Sequence, residues 1–148
     1  MVDKKALLNL MAEIMDPEIP VVNIVELGIV RGIEETTPPN IIITPTYVGC
    51  PATDVISEMV REKLDAAGHS DVGIKNQLSP AWTTNWMSQA AHDKLRKYGI
   101  DPPCAHAPTC PRCGSGNTKL ISAFGSTPCK SFHSCKDCLE PFDRFKCH

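Results

Sequence analysis

Seven of the eight cysteines fall in the last 45 residues: Cys104, Cys110, Cys113, Cys129, Cys135, Cys138 and Cys147. Two pairs have the spacing Cys-x-x-Cys, "CPRC" at 110–113 and "CKDC" at 135–138, with 21 residues between them. Such knuckles turn the backbone so that two sulfurs reach one ion, and two knuckles complete a tetrahedron of thiolates. A segment of this length cannot bury enough apolar surface to fold unaided, so an ion must supply much of its stability. Strand-like "NTKLISAF" and "FDRF" flank the knuckles. The expectation is a small antiparallel zinc ribbon with Cys110, Cys113, Cys135 and Cys138 as ligands. Zinc suits this spacing better than a resident iron–sulfur cluster. Cys104, Cys129 and Cys147, with His106, His133 and His148 nearby, stay open between unpaired thiols, a second metal or cluster site, and alternate ligands to the first ion.

Charge divides where the cysteines do. Residues 1–103 hold nine Lys and Arg against fourteen Asp and Glu, net −5, and residues 104–148 hold six against three, net +3. The proline-rich "YGIDPPCAHAPTCPRC" between them reads as a short stiff linker. Two domains are expected, 1–103 and 104–148. The tail's positive charge does not make it a nucleic-acid module. Four thiolates around a zinc carry about −2 as a unit, the lysines are dispersed, and the acidic first domain opposes phosphates. No apolar run approaches the roughly 20 residues of a membrane span, and the charged amino terminus does not read as a secretory signal. A cytoplasmic protein is expected, which keeps its thiols reduced.

The first domain reads as α+β. Leu7, Leu8, Met11, Ile14 and Met15 have helical spacing over 4–15, ended by Pro17. "IVRGIEE" (29–35) and "NIIITPTYV" (40–48) form a hairpin across "TTPPN". Val55, Ile56, Met59, Val60 and Leu64 mark one face of a helix over 51–67, with Gly68 as its terminator. A strand follows at 72–78 and a last helix at 85–99. The order is α-β-β-α-β-α, and the crossover from the second strand to the third is expected to be right-handed and parallel, giving a small mixed sheet.

Cys50 stands alone, between the carboxyl end of a strand and the start of a helix opened by Pro51. Free N–H groups and the positive end of the helix dipole favour the thiolate there, the form that ligates metals. The opposing reading is a buried thiol acting as a small apolar filler. Asp16 and Glu18, flanking Pro17, either lean over the same site or solvate a turn. Trp82 and Trp86 read as packing anchors.

"DPEIP", "NIVELGIV", "TPTYVGCPAT" and "LSPAW" resemble the small α/β domain of SufT-like cytosolic iron–sulfur assembly factors. Nearly end to end, through "KLRKYGIDPP" and the cysteine-rich tail, the chain resembles the PaaD family associated with phenylacetyl-CoA epoxidase systems. The resemblance implies an accessory, non-catalytic role in maturing the iron–sulfur part of a multicomponent oxygenase, with its oxygenase and reductase components as partners. It carries cofactor-site roles onto Asp16, Glu18, Thr46 and Cys50, and draws attention to Cys129 in "GSTPCK". One thiolate cannot hold a cluster that usually takes four, so a transient cluster at Cys50 needs help from a second subunit, the client, a small thiol, or Cys129 or Cys147, and a homodimer or client-shared site is the favoured expectation. The competing readings are a docking subunit with an inert Cys50, and, less well supported, a thiol redox enzyme.

Overall fold

The structure, a computed structural model, describes residues 3–17, 19–45, 52–103, 107–125, 127 and 130–146. The chain separates into two compact units, Met1–Ser88 and Gln89–His148.

In the first unit, α1 (Lys4–Met11) begins where the Asp3 side chain accepts from the Lys5 N–H. It is shorter than the 4–15 expected. Ile14 N–H turns back to the Met11 carbonyl, and Met15 instead forms an isolated antiparallel bridge with Asn23. β1 (Val30–Glu34) and β2 (Asn40–Ile43) are antiparallel, as a hairpin requires, and β3 (Gly73–Asn76) runs parallel to β2. The sheet order is β1-β2-β3. Between β2 and β3 lies α2 (Ala52–Ala66), which buries Ile56, Val60 and Leu64, one side chain per turn. Val55, placed on that face by its spacing, is exposed. Gly68 ends the helix at φ +82, a left-handed conformation that costs glycine little. Arg61 then ties the helix end to the start of β3, donating to the Val72 and His69 carbonyls.

Three of the motifs that carry the family resemblance meet in this unit's core. In "NIVELG", Asn23 and Glu26 form a reciprocal pair: the Asn23 side chain accepts from the Glu26 N–H at 2.8 Å, and Glu26 from the Asn23 N–H at 3.2 Å. This arrangement is a capping box on one isolated turn. Gly28 closes the turn at φ +78, and a Cβ there would collide with the Trp86 backbone. Trp82 of "LSPAW" is buried and donates its Nε1–H to the Leu27 carbonyl at 2.9 Å. In "DPEIP", the Asp16 carboxylate accepts from the Ile19 N–H at 2.9 Å, bracing the turn across Pro17. Trp86 lies half-buried under the Arg31 guanidinium, 3.5 Å from its ring centroid. Both tryptophans therefore act as the anchors expected.

The second unit starts with α3 (Gln89–Lys97), expected to span 85–99. Residues 84–86 form a separate 3-10 turn in the first unit, capped by the Thr83 hydroxyl, and Met87 is extended, so the helix starts later. Gly99 follows at φ +92, and β4 (Ile100–Asp101) pairs parallel with β7 (Pro141–Phe145). β5 (Thr118–Ser122), β6 (Lys130–Cys135) and β7 form an antiparallel meander, giving the order β4-β7-β6-β5. The pairing of β4 with β7 and its contact with α3 group residues 89–103 with the ribbon in the structure, whereas composition and charge divide the chain at 103. Asp101 is 1% exposed, accepts from the Thr109 N–H at 3.0 Å and pairs with Arg144 Nε at 3.5 Å.

Candidate metal centre

The two knuckles converge as their spacing requires. The sulfurs of Cys110, Cys113, Cys135 and Cys138 all lie within 4.8 Å of one another, with Cys110 and Cys138 at 3.7 Å and Cys113 and Cys135 at 3.5 Å. Four sulfurs at a Zn–S distance of about 2.3 Å stand about 3.8 Å apart around a tetrahedral ion. The donor set and its dimensions fit zinc, and four thiolates leave no open coordination position.

Each knuckle is a tight turn with a left-handed residue just past its second cysteine. In the first, the Gly114 N–H donates to the Cys110 carbonyl, and Gly114 has φ +75. In the second, the corresponding residue is Leu139, at φ +66 and 80% exposed. Left-handed backbone is costly for a branched apolar residue and persists only where the surroundings impose it. Hydrogen bonds join the two turns: the Asp137 carboxylate accepts from the Ser115 hydroxyl and from Asn117 Nδ2, and the Lys136 N–H donates to the Asn117 carbonyl. The Ser115 hydroxyl, and then Asn117, hold the Asp137 carboxyl below its usual range.

The thiols are electrostatically unequal. The Cys138 backbone N–H points at the Cys135 sulfur at 3.4 Å and, against the cost of burial, lowers its pKa to about 7. At Cys138 the Glu140 backbone N–H favours the thiolate, but burial and the neighbouring thiols outweigh it and push the value up to about 12. Thiolates are the form that ligates the ion, so metal binding releases the protons that the thiols still hold.

His133, open in the sequence between metal ligation and other roles, is committed to packing. Its ring is buried and stacked on Phe142 with centroids 5.5 Å apart, and Nε2 shares a 2.7 Å hydrogen bond with the Ser131 hydroxyl. Burial, then the nearby Arg144 charge, lowers its pKa, favouring the neutral ring. Cys50, Thr46, Glu18 and Cys129 lie outside the described residues, as do Cys104, His106, Cys147 and His148. Of the residues assigned to a site in the first unit, Asp16 alone is described. Two features escape a reading of the sequence. One is the Ser115–Asn117–Asp137 link between the knuckles, whose only signal there is a polar composition. The other is Thr44, whose hydroxyl is buried without a hydrogen-bond partner among the described residues.

Comparison with known proteins places both halves. Residues 103–146 match the "PaaD zinc beta ribbon domain" family, and residues 4–75 match the "Iron-sulfur cluster assembly protein" family. An Escherichia coli (strain K12) protein, provisionally named as the D-type subunit of 1,2-phenylacetyl-CoA epoxidase, is 48% identical over 147 residues, covering 93% of this chain and 89% of the relative. A Porphyromonas gingivalis (strain ATCC BAA-308 / W83) Fe-S protein maturation auxiliary factor is 32% identical over 88 residues, 57% of this chain and 83% of its own. Among solved structures, a domain of unknown function (DUF59) from Bacillus anthracis aligns with TM-score 0.56 at 27% identity, covering 62% of this chain and 90% of that one. A conserved hypothetical protein from Thermotoga maritima gives TM-score 0.53 at 26% identity, covering 64% and 94%. With an iron–sulfur assembly region followed by a PaaD-type zinc β-ribbon, the chain belongs to the PaaD family, the D-type subunits of phenylacetyl-CoA epoxidase systems.

Proposed function

We propose that this protein is a cytoplasmic accessory factor that delivers or helps assemble iron–sulfur clusters for a phenylacetyl-CoA epoxidase system, and that it performs no catalysis of its own. The observation that carries the reading is the union of two matched regions in one chain: an assembly-protein region and a PaaD ribbon. The ribbon's four thiols form a closed set, suited to a structural ion and not to passing cargo. We assign zinc to Cys110, Cys113, Cys135 and Cys138, and place the working site in the first domain, 1–103, ahead of a ribbon at 104–148. There Cys50 is the cargo ligand, with Asp16, Glu18 and Thr46 around it and Cys129 as a candidate contributor from the tail. One thiolate needs partners to hold a cluster, so the cargo is shared with a second copy or with the client, an oxygenase or reductase component.

The test is an anaerobic count of zinc, iron and acid-labile sulfide after reconstitution, in wild type, Cys50→Ala and Cys138→Ala, followed by transfer to the apo reductase. Cys138→Ala should lose zinc. Cys50→Ala should keep zinc, lose iron and sulfide, and fail in transfer. Equal delivery by wild type and Cys50→Ala sinks the carrier reading. The second reading, a docking role, is favoured by the naming of the Escherichia coli relative as a subunit, and would show itself as fixed-stoichiometry copurification with no labile iron.

A further inference from the structure

Residues 12–17 and 19–29 form no helix or strand, so the segment that carries Asp16 takes its shape from hydrogen bonds between its own turns and from tethers to other parts of the chain. Within it, the Ile24 N–H donates to the Ile14 carbonyl at 3.0 Å and the Asp16 N–H to the Val22 carbonyl at 2.9 Å, on either side of the Met15–Asn23 bridge. These bonds fold the Asp16 turn onto residues 22–24. The next turn is held from outside by a strap, residues 82–88. The buried Trp82 indole donates to the Leu27 carbonyl at 2.9 Å, and the Ser88 N–H donates to the Glu26 carbonyl at 2.9 Å. Leu27 is itself buried and belongs to no strand ladder, so the indole supplies the partner that a buried carbonyl needs. At its end the segment meets the sheet, where the Thr44 N–H donates to the Ile29 carbonyl at 2.8 Å beside the carboxyl end of β2. The place of the buried Asp16 carboxylate is thus set in part by a tryptophan far along the chain.

We propose that Trp82 is a positioning residue for the working site: through the Leu27 carbonyl its indole N–H holds the 14–29 segment, and with it the Asp16 carboxylate, at the end of the sheet where β2 finishes. This deepens the proposed function and rests on its placement of an iron–sulfur cargo beside Asp16. Trp82 touches no cargo. It acts by keeping the carboxylate where the cargo meets it.

The test uses the zinc-loaded full chain. In wild type, exchange of the Trp82 Nε1–H and of the Asp16 and Ile19 amides should follow one denaturant dependence, because strap and turn open as a unit. Asp16 and Ile19 amides that open while the indole stays protected would overturn the proposal, whatever the site binds and whether or not any variant folds. The second arm uses protein reconstituted anaerobically with iron and sulfide. Trp82→Phe keeps an aromatic ring but strands the Leu27 carbonyl, and should release iron to a chelator about fivefold to tenfold faster through loss of one buried hydrogen bond. Asp16→Asn should also quicken release, and adding Trp82→Phe to it should change nothing more, since the indole acts through the carboxylate. Leu64→Ala weakens the same unit through α2 and should leave the release rate unchanged. Additive effects of Trp82→Phe and Asp16→Asn, or equal quickening by Leu64→Ala, would make Trp82 a packing residue and nothing more. A wild type that binds no iron sinks the cargo reading instead, and the exchange measurement then decides whether Trp82 places Asp16.

Discussion

The two units solve the stability problem with different materials. The first buries a continuous set of aliphatic side chains, among them Leu7, Met11, Ile24, Leu27, Ile41, Ile43, Val60 and Leu64, each at most 1% exposed. In the ribbon, the buried cluster is Cys110, Cys135 and Phe142, so two of its three members are themselves metal ligands by position. The remaining interior includes polar groups, with Asp101, Lys130 and His133 all buried. Leu95, Ile100 and Phe145 are buried elsewhere in the same unit, but hydrophobic burial contributes roughly 25 cal/mol per Å² wherever it occurs, so the knuckle end, which buries thiols, must be held largely by what the thiols bind. The same chain thus pairs a unit held by an aliphatic core with one whose knuckle end converges four thiols spaced for an ion.

Metal removal is the strongest way to break this comparison. Structural zinc contributes about 10–16 kcal/mol of apparent binding free energy in small zinc-finger peptides. Chelation under reducing conditions, or Cys135→Ala, should therefore remove amide-exchange protection from β5, β6 and β7 while β1, β2 and β3 keep theirs. Protection that survives in the ribbon would show that Asp101, Arg144 and the Phe142–His133 stack hold it without an ion. The converse experiment cuts into the other unit. Leu64 is fully buried on α2, and Leu64→Ala should cost about 2–5 kcal/mol through lost transfer energy and a residual cavity. Urea titration of that unit should show the loss, and zinc stoichiometry should stay unchanged. A fall in zinc content would mean that the two units do not fold independently.

These unequal materials also explain what is legible in the sequence. The four-thiol site is readable because ligand spacing is local and the ion demands it. The parallel β2–β3 crossover is readable because a period-2 run, a period-3.6 run and another strand follow one another within about forty residues. Other elements take their shape from distant partners. β6 has no such signal: "KSFHSC" lacks an aliphatic pattern, and its buried residues, Lys130 on one face and His133 and Cys135 on the other, are not aliphatic. β4 is two residues long and exists through its pairing with β7. Leu139 occupies the left-handed position that Gly114 fills in the other knuckle, so the usual glycine signal is missing. Thr44 reads as an ordinary strand residue, yet its hydroxyl is buried without a partner among the described residues, a feature that becomes visible only with burial known. The motifs "NIVELG" and "LSPAW" mark the family, and with it a function. In the folded chain Gly28, Leu27, Trp82 and Trp86 pack and hydrogen-bond with one another, so much of that signature is structural.

The smallest predicted effect sharpens the comparison through pH. Glu34 on β1 accepts from Asn40 Nδ2 on β2 at 3.0 Å and lies 3.4 Å from Lys75 Nζ on β3, so one carboxylate touches all three strands. The Asn40 hydrogen bond, followed by the Lys75 charge, lowers its pKa from the usual 4.5. A carboxylate with a lowered folded pKa adds stability above its unfolded pKa and loses it as pH falls through the folded one. Glu34→Gln should therefore be slightly less stable than wild type near pH 6, and the gap should close in acid. The effect is small, since Glu34 and Lys75 are 35% and 58% exposed and solvent screens the pair. Acid also protonates thiolates and releases metal from the ribbon, so a global signal would mix two events. Both tryptophans of the chain, Trp82 and Trp86, lie in the first unit. Urea titration followed by tryptophan fluorescence thus reports that unit alone. A gap that persists undiminished in acid would show that Asn40 and Lys75 do not hold the carboxylate, and that the first unit stands on its apolar core without help from the charges at its sheet edge.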